Sequence, residues 1–110
     1  MLRDRRDYLL RMIEQAAAAA ARLRQRLLGG DPVEEVVREA RAAQIELLGK
    51  DAAMLAMLDG RSAAHVLGDR ERLIQWAELL RVEAEAHRGA GRHAVAAALE
   101  QRAGDLTQAT

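Results

Sequence analysis

Apolar residues recur along this chain at alternating intervals of three and four, the period of one face of an α-helix. The first such run is Leu9, Ile13, Ala16, Ala20, Leu23 and Leu27. Its centre is alanine and its ends are larger, which predicts a long helix whose middle a second helix approaches closely. Gly29 or Gly30 in "LLGGDP" supplies a left-handed stop. Asp31 is expected to cap the next helix, with Pro32 as its first residue, where a missing N–H costs nothing. That helix places Val33, Val36, Ala40, Ala43 and Leu47 on one face and ends at Gly49. Residues 4–49 therefore read as a helical hairpin.

The middle of the chain is broken into shorter pieces. "AAMLAML" after Asp51 is apolar on every side, which predicts a short buried helix. Asp59-Gly60 marks a turn, and Ser62 is expected to cap a second short helix that stops at Gly68. Asp69 then caps a long helix with Leu73, Ala77, Leu80, Ala84 and His87 on one face. Ile74, Trp76 and Leu79 widen that face, so the helix is expected to be covered on two sides. The segment "HRGAGRH", His87 to His93, forms the next corner, with Gly89 expected as the left-handed stop. A last helix from about Arg92 to Ala103 would turn Val95, Ala98, Leu99, Arg102 and Leu106 inward. The fold class is thus all-α, two antiparallel helical hairpins joined by two short helices.

Composition supports this and narrows the chemistry. With 110 residues, half of them hydrophobic and 31% charged, the chain suits one folded domain rather than a disordered segment. That domain is expected over residues 1–106, with a frayed tail at 107–110. The apolar half is mostly Ala, Leu and Val, with one Trp, one Tyr and no Phe, which favours helix over strand. Seventeen basic residues balance seventeen acidic ones, so no whole-chain field draws in nucleic acid. Within the chain the charge is uneven. The first helix carries seven arginines against three acids, while residues 31–50 carry five acids against three basic groups, so ion pairs across the first hairpin are expected. There is no cysteine, hence neither disulfide nor thiolate chemistry. The apolar run Ala16 to Ala21 is far too short to span a membrane, and a cytoplasmic setting is the expectation.

Three stretches, "DYLLRMIEQ", "ELLGKDAAMLAML" and "DRERLIQWAELLRVEAEAHRGAGRHAVAAALEQRA", come in an order that resembles a family of small, functionally uncharacterised bacterial helical proteins. The resemblance covers roughly residues 5–106. It implies a closing helix pair similar to a tetratricopeptide repeat: Trp76 and Leu79 look like the Trp and Leu of that repeat's first helix, and Ala96 and Ala103 like alanines of its second. Leu80 stands where the repeat wants Gly and Glu83 where it wants Tyr. The resemblance carries a fold and little function.

Candidate chemistry is sparse. Arg88, Arg92 and His93, at the start of a helix, form a candidate anion site. Arg92 and His93 otherwise oppose the positive end of the last helix, which an anion or a nearby carboxylate would relieve. Glu83 precedes His87 by four residues, but neither metal-binding helix spacing, HExxH nor ExxH, occurs, and no metal or other cofactor is expected. The pattern turns nothing polar into the core. Ser62, His65 and the flanking Asp59 and Asp69 have ordinary helix-end roles, so an enzyme is not expected. The reading that follows is a non-enzymatic protein–protein interaction or assembly module, with a homodimer among the assemblies it allows. Its packing or interaction residues would be Leu9, Ile13, Ala16, Ala20 and Leu23 on the first helix and Trp76 and Leu79 on the second hairpin. The alternative is a small anion- or metal-binding protein built on the 87–93 turn.

Overall fold

A computed structural model describes the backbone of residues 2–108 and the side chains of residues 4–108. Six α-helices and one 3₁₀ turn account for nearly all of it, and no strand occurs among the described residues. Helix α1 (Leu2–Leu28) and α2 (Val33–Leu48) form the first hairpin. The 3₁₀ turn Gly49–Asp51 leads into α3 (Ala52–Met57) and α4 (Gly60–Leu67), and α5 (Arg70–Gly89) and α6 (His93–Gln108) form the second hairpin. The protein is all-α. Thr107 and Gln108 belong to α6, and residues 109 and 110 of the expected tail lie outside the described residues.

Both hairpins close in the same way. Gly30 and Gly91 adopt positive φ, 86° and 82°. The amide after each reaches back five residues, Asp31 N to Arg26 O at 3.0 Å and Arg92 N to His87 O at 2.8 Å. This is the six-residue helix stop that a left-handed residue permits, and glycine carries no steric cost there. The left-handed residue of the second corner is thus Gly91, whereas Gly89, expected in that role, is the last residue of α5.

Helix α5 is the central element. Leu73, Trp76, Ala77, Leu79, Leu80, Val82, Ala84 and Ala86 are all buried, because α1 and α2 cover one side and α6 the other. The expectation of a helix covered on two sides fits this arrangement. Helix α2 runs antiparallel to α5, with Leu47 beside Arg72, Gln44 beside Trp76 and Glu34 beside Arg92. On α1, Ala16, Ala20 and Leu23 are buried, and Ile13 and Leu27 pack on the same core. The small residues let α1 lie close to both neighbours.

Two arginines tie helix ends to the bundle. Arg72 donates from Nη2 to Leu47 O at 2.7 Å, satisfying a carbonyl in the last turn of α2. Arg102 on α6 donates to Leu58 O at 2.8 Å and Leu55 O at 3.1 Å, anchoring the end of α3, and its guanidinium lies 5.2 Å from the Trp76 ring centroid.

Several local expectations are corrected. Asp31 does not cap α2; Pro32 occupies the cap position and Asp31 pairs with Arg26 at 2.7 Å. Asp59, not Ser62, caps α4, accepting from Ser62 N at 2.8 Å. Segment 52–58 is largely exposed: only Leu55 is buried and Met57 is 87% exposed. A single turn and a half can press only one side on a bundle. On α6, the face meeting α5 and α4 is Ala96, Ala103 and Leu106, while Val95 and Ala98 point outward.

Candidate functional site

The corner at 87–93 is the first candidate. His87 is buried in the last turn of α5. Its Nδ1 lies 3.3 Å from Arg92 Nη1. A guanidinium only donates, so Nδ1 accepts and the ring proton sits on Nε2. That Nε2 is buried with no hydrogen-bond partner among the described residues. Arg92 turns its other nitrogen to Glu34 on α2. The carboxylate that would relieve Arg92 at the start of α6 is therefore part of the protein, and donation from Arg92 holds Glu34 below its ordinary range. Arg88 faces Glu100 at 3.4 Å. His93 is exposed at the first position of α6. The two arginines expected at the anion site are thus directed at separate carboxylates, Arg88 at Glu100 and Arg92 at Glu34.

Polar groups do enter the core. Glu83 is 3% exposed and sits between α5 and α2. Its Oε1 accepts from Arg41 Nε at 3.0 Å and its Oε2 from the amide of Gln44. Gln44 Oε1 in turn accepts from the Trp76 indole N–H at 3.2 Å. This chain crosses the α2–α5 interface and fixes its register. The sequence pattern did not separate Glu83 from the solvated acids of α5. The available signal was Trp76, whose buried N–H requires an acceptor on a facing helix. Glu83 and His87 do not converge on a common point with a third ligand; no group of three or more ligating side chains suited to a metal occurs among the described residues.

Ion pairs link α1 to both neighbours. Arg26 bonds Asp31 and Glu39, which holds its pKa above the ordinary arginine value. Arg24 reaches α5, pairing with Glu78 at 2.9 Å and Glu85 at 3.2 Å. Burial, the largest single influence, would raise Glu78, but Arg24 and Arg81 at 3.1 Å together outweigh it and leave this carboxyl low.

The second candidate is the outer flank of α1. Tyr8, Met12, Gln15, Ala19 and Arg22 recur at intervals of 4, 3, 4 and 3, forming a stripe beside the buried one. Between this stripe and α2 runs an open groove of about 570 Å³. Five alanines, 16, 18, 19, 42 and 43, line it, with Arg22 on its α1 side and Glu39 and Glu46 on its α2 side. Met12 lies opposite Leu47 near the end of α2, so the first turns of α1 run on past the hairpin. Residues 4–8 are all exposed, Tyr8 at 57%; Leu10 is exposed and Leu9 half-buried. Of the expected interaction residues, Ala16, Ala20, Leu23, Trp76 and Leu79 lie inside the bundle, Ile13 packs against it, and Leu9 sits where α1 leaves it.

No family model matches the chain, and comparison with curated proteins and with solved structures yields no match either. No helix among the described residues is long and apolar enough to cross a membrane.

Proposed function

We propose that this protein is a non-enzymatic protein–protein interaction or assembly module that engages its partner through the outer flank of α1. The observation behind this reading is the open alanine-lined groove, continued on the same stripe by half-buried Met12 and exposed Tyr8. A groove of small side chains beside a helix is shaped to take another helix, as helix-in-groove recognition requires. The likeness to small bacterial helical proteins with a tetratricopeptide-like closing pair belongs to the same reading. It draws support from Trp76 and Leu79 packed inside the α5–α6 pair and from Ala96 and Ala103 at its crossing. A cytoplasmic setting, without nucleic acid or membrane as partner, goes with it. The alternative, anion or metal binding at 87–93, has less behind it, because Arg88 and Arg92 are directed at Glu100 and Glu34.

A photo-crosslinking residue placed at Ala18, exposed in the groove, tests the proposal in the native host. Crosslinks to a defined protein, well above those from the same probe at exposed Arg61 on α4, are expected. Equal yields at the two positions would sink it.

A further inference from the structure

A pair of packed helices has a groove on each side, and in the first hairpin α5 fills one of the two. It does so with acids that meet cations on both rims. Glu78 and Glu85 take Arg24 of α1 at 2.9 and 3.2 Å, and Glu83 takes Arg41 of α2 at 3.0 Å. The open groove on the other side also has charged rims, Arg22 on α1 and Glu39 and Glu46 on α2. Glu39 is taken by Arg26 of the hairpin itself. Arg22 and Glu46 are exposed and have no hydrogen bond or ion pair among the described residues. We infer that the open groove receives one helix of a different protein, whose apolar seam carries an acid on one side for Arg22 and a base on the other for Glu46. This rests on the interaction reading above.

The hairpin sets the spacing of that pair. Arg22 lies six residues before Leu28 and Glu39 six after Val33, so the two are level across the groove. Glu46 is seven residues further along α2, about 10 Å at 1.5 Å per residue. The acid and the base of the incoming helix are therefore about two turns apart. Between them the lining is small, with Ala16, Ala19, Ala42 and Ala43. Facing helices pack large residues against small ones, so the incoming seam is built of side chains the size of leucine or methionine. Charge on the rims then selects among such helices, because a like charge at either place is repelled. A second copy of this chain does not fit. The exposed start of α1 carries Arg5 and Arg11 to either side of Tyr8, which would set an arginine against Arg22.

The photo-crosslinker at Ala18 supplies the test, because mass spectrometry of the crosslinked product locates the segment lying in the groove. That segment should belong to another protein, with large apolar residues three and four apart and an acid and a base about two turns apart beside them. As a labelled peptide it is titrated with the full chain by fluorescence anisotropy in about 50 mM salt, where exposed pairs are weakly screened. Arg22→Glu and Glu46→Arg should each weaken binding about tenfold. Changing the peptide's base to an acid should bring its binding to the Glu46→Arg variant within about threefold of the original pair. Ala42→Trp should abolish binding. All three positions are exposed, and circular dichroism checks that each variant keeps its helices. A captured segment without the acid and base, or one from this chain itself, overturns the inference. So does a peptide that fails to bind at about 1 mM, binding indifferent to the three substitutions, or a charge change that does not rescue Glu46→Arg. In each of those cases a defined protein is still captured at Ala18 and the interaction reading stands, whereas equal yields at Ala18 and Arg61 remove both.

Discussion

Gln44 holds two buried groups together, and its replacement by methionine should be costly out of proportion to its size. Methionine matches the side chain in length and volume, so packing is conserved and the amide alone is lost. Two groups lose a partner. The Trp76 N–H, 3.2 Å from Gln44 Oε1, is a buried neutral donor whose desolvation costs about 1–3 kcal/mol when unmet. Glu83 loses the donor at Oε2 and keeps only Arg41 at Oε1, and a hydrogen bond to a charged group contributes about 1.5–3 kcal/mol. Gln44 is half-buried, so water restores part of both, and the net loss is roughly 2–4 kcal/mol. Against a typical domain stability of about 5–15 kcal/mol this is a large fraction. The double variant Q44M/E83M should be more stable than Q44M, because the buried charge is gone. Arg41, 65% exposed at its side chain, returns to water without penalty. Urea unfolding followed by circular dichroism and by the fluorescence of Trp76, the sole tryptophan, reads both values. A Q44M loss under about 0.5 kcal/mol, or a double variant whose cost is the sum of the singles, would show that the network does not carry the interface.

Gly60 opens α4 against α6, and a Cβ there would meet Asp105 Cβ at 2.6 Å and Arg102 O at 3.4 Å. Gly60→Ala should therefore cost about 1–3 kcal/mol in thermal or urea unfolding, despite the better helix propensity of alanine; a stabilised variant would contradict the close approach. Glu34 and Glu78 both titrate below the ordinary glutamate range in the folded protein, Glu34 held down by Arg92 and Glu78 by Arg24 and Arg81. The stability they contribute is present above the ordinary glutamate range and is lost as pH falls through the lowered folded pKa, so the midpoint of unfolding should drop in acid. Glu78→Gln should flatten that acid limb, and an unchanged pH profile would argue against the Arg24 pairing. Because Arg88 and Arg92 are directed at internal carboxylates, phosphate should stabilise the protein no more than chloride at equal ionic strength. A saturating rise in Tm with phosphate that Arg92→Gln removes would revive the anion site.

The parts of the fold that were legible in the sequence are those where several signals coincide. "LLGGDP" and "HRGAGRH" each end a long apolar stripe with glycine, and both proved to be the corners of hairpins. Asp69 was read as a cap and accepts from Arg72 N at 3.1 Å. The segment after Asp51 was misread because six helical residues hold too few turns for a period to show which side is apolar. In α6 the buried side is marked by alanine rather than by the bulkier Val95. A closely packed helix turns its small residues inward, and hydrophobicity alone then points the wrong way. Glu83 was missed for a third reason. Its partners Arg41 and Gln44 lie 42 and 39 residues away on a helix whose facing register only the assembled bundle defines.

That last point separates the two candidate surfaces. At 87–93 the sequence showed an electrostatic imbalance, two basic residues at the start of a helix, and an external anion was one way to resolve it. The imbalance is met from within, because α2 runs antiparallel to α5 and so delivers Glu34 to Arg92. The flank of α1 is the reverse case. Its stripe from Tyr8 to Arg22 showed no imbalance in the sequence, since the apolar residues next to it, Ala16, Ala20 and Leu23, were sufficient to explain the helix. Folding buries those three together with Ala19 of the flank and leaves Tyr8, Gln15 and Arg22 exposed, because α2 stops near Met12 while α1 continues. A helix of 27 residues against one of 16 must either protrude or find a second partner. The start of α1 is thus the part of that helix which the bundle leaves uncovered, with residues 4–8 all exposed.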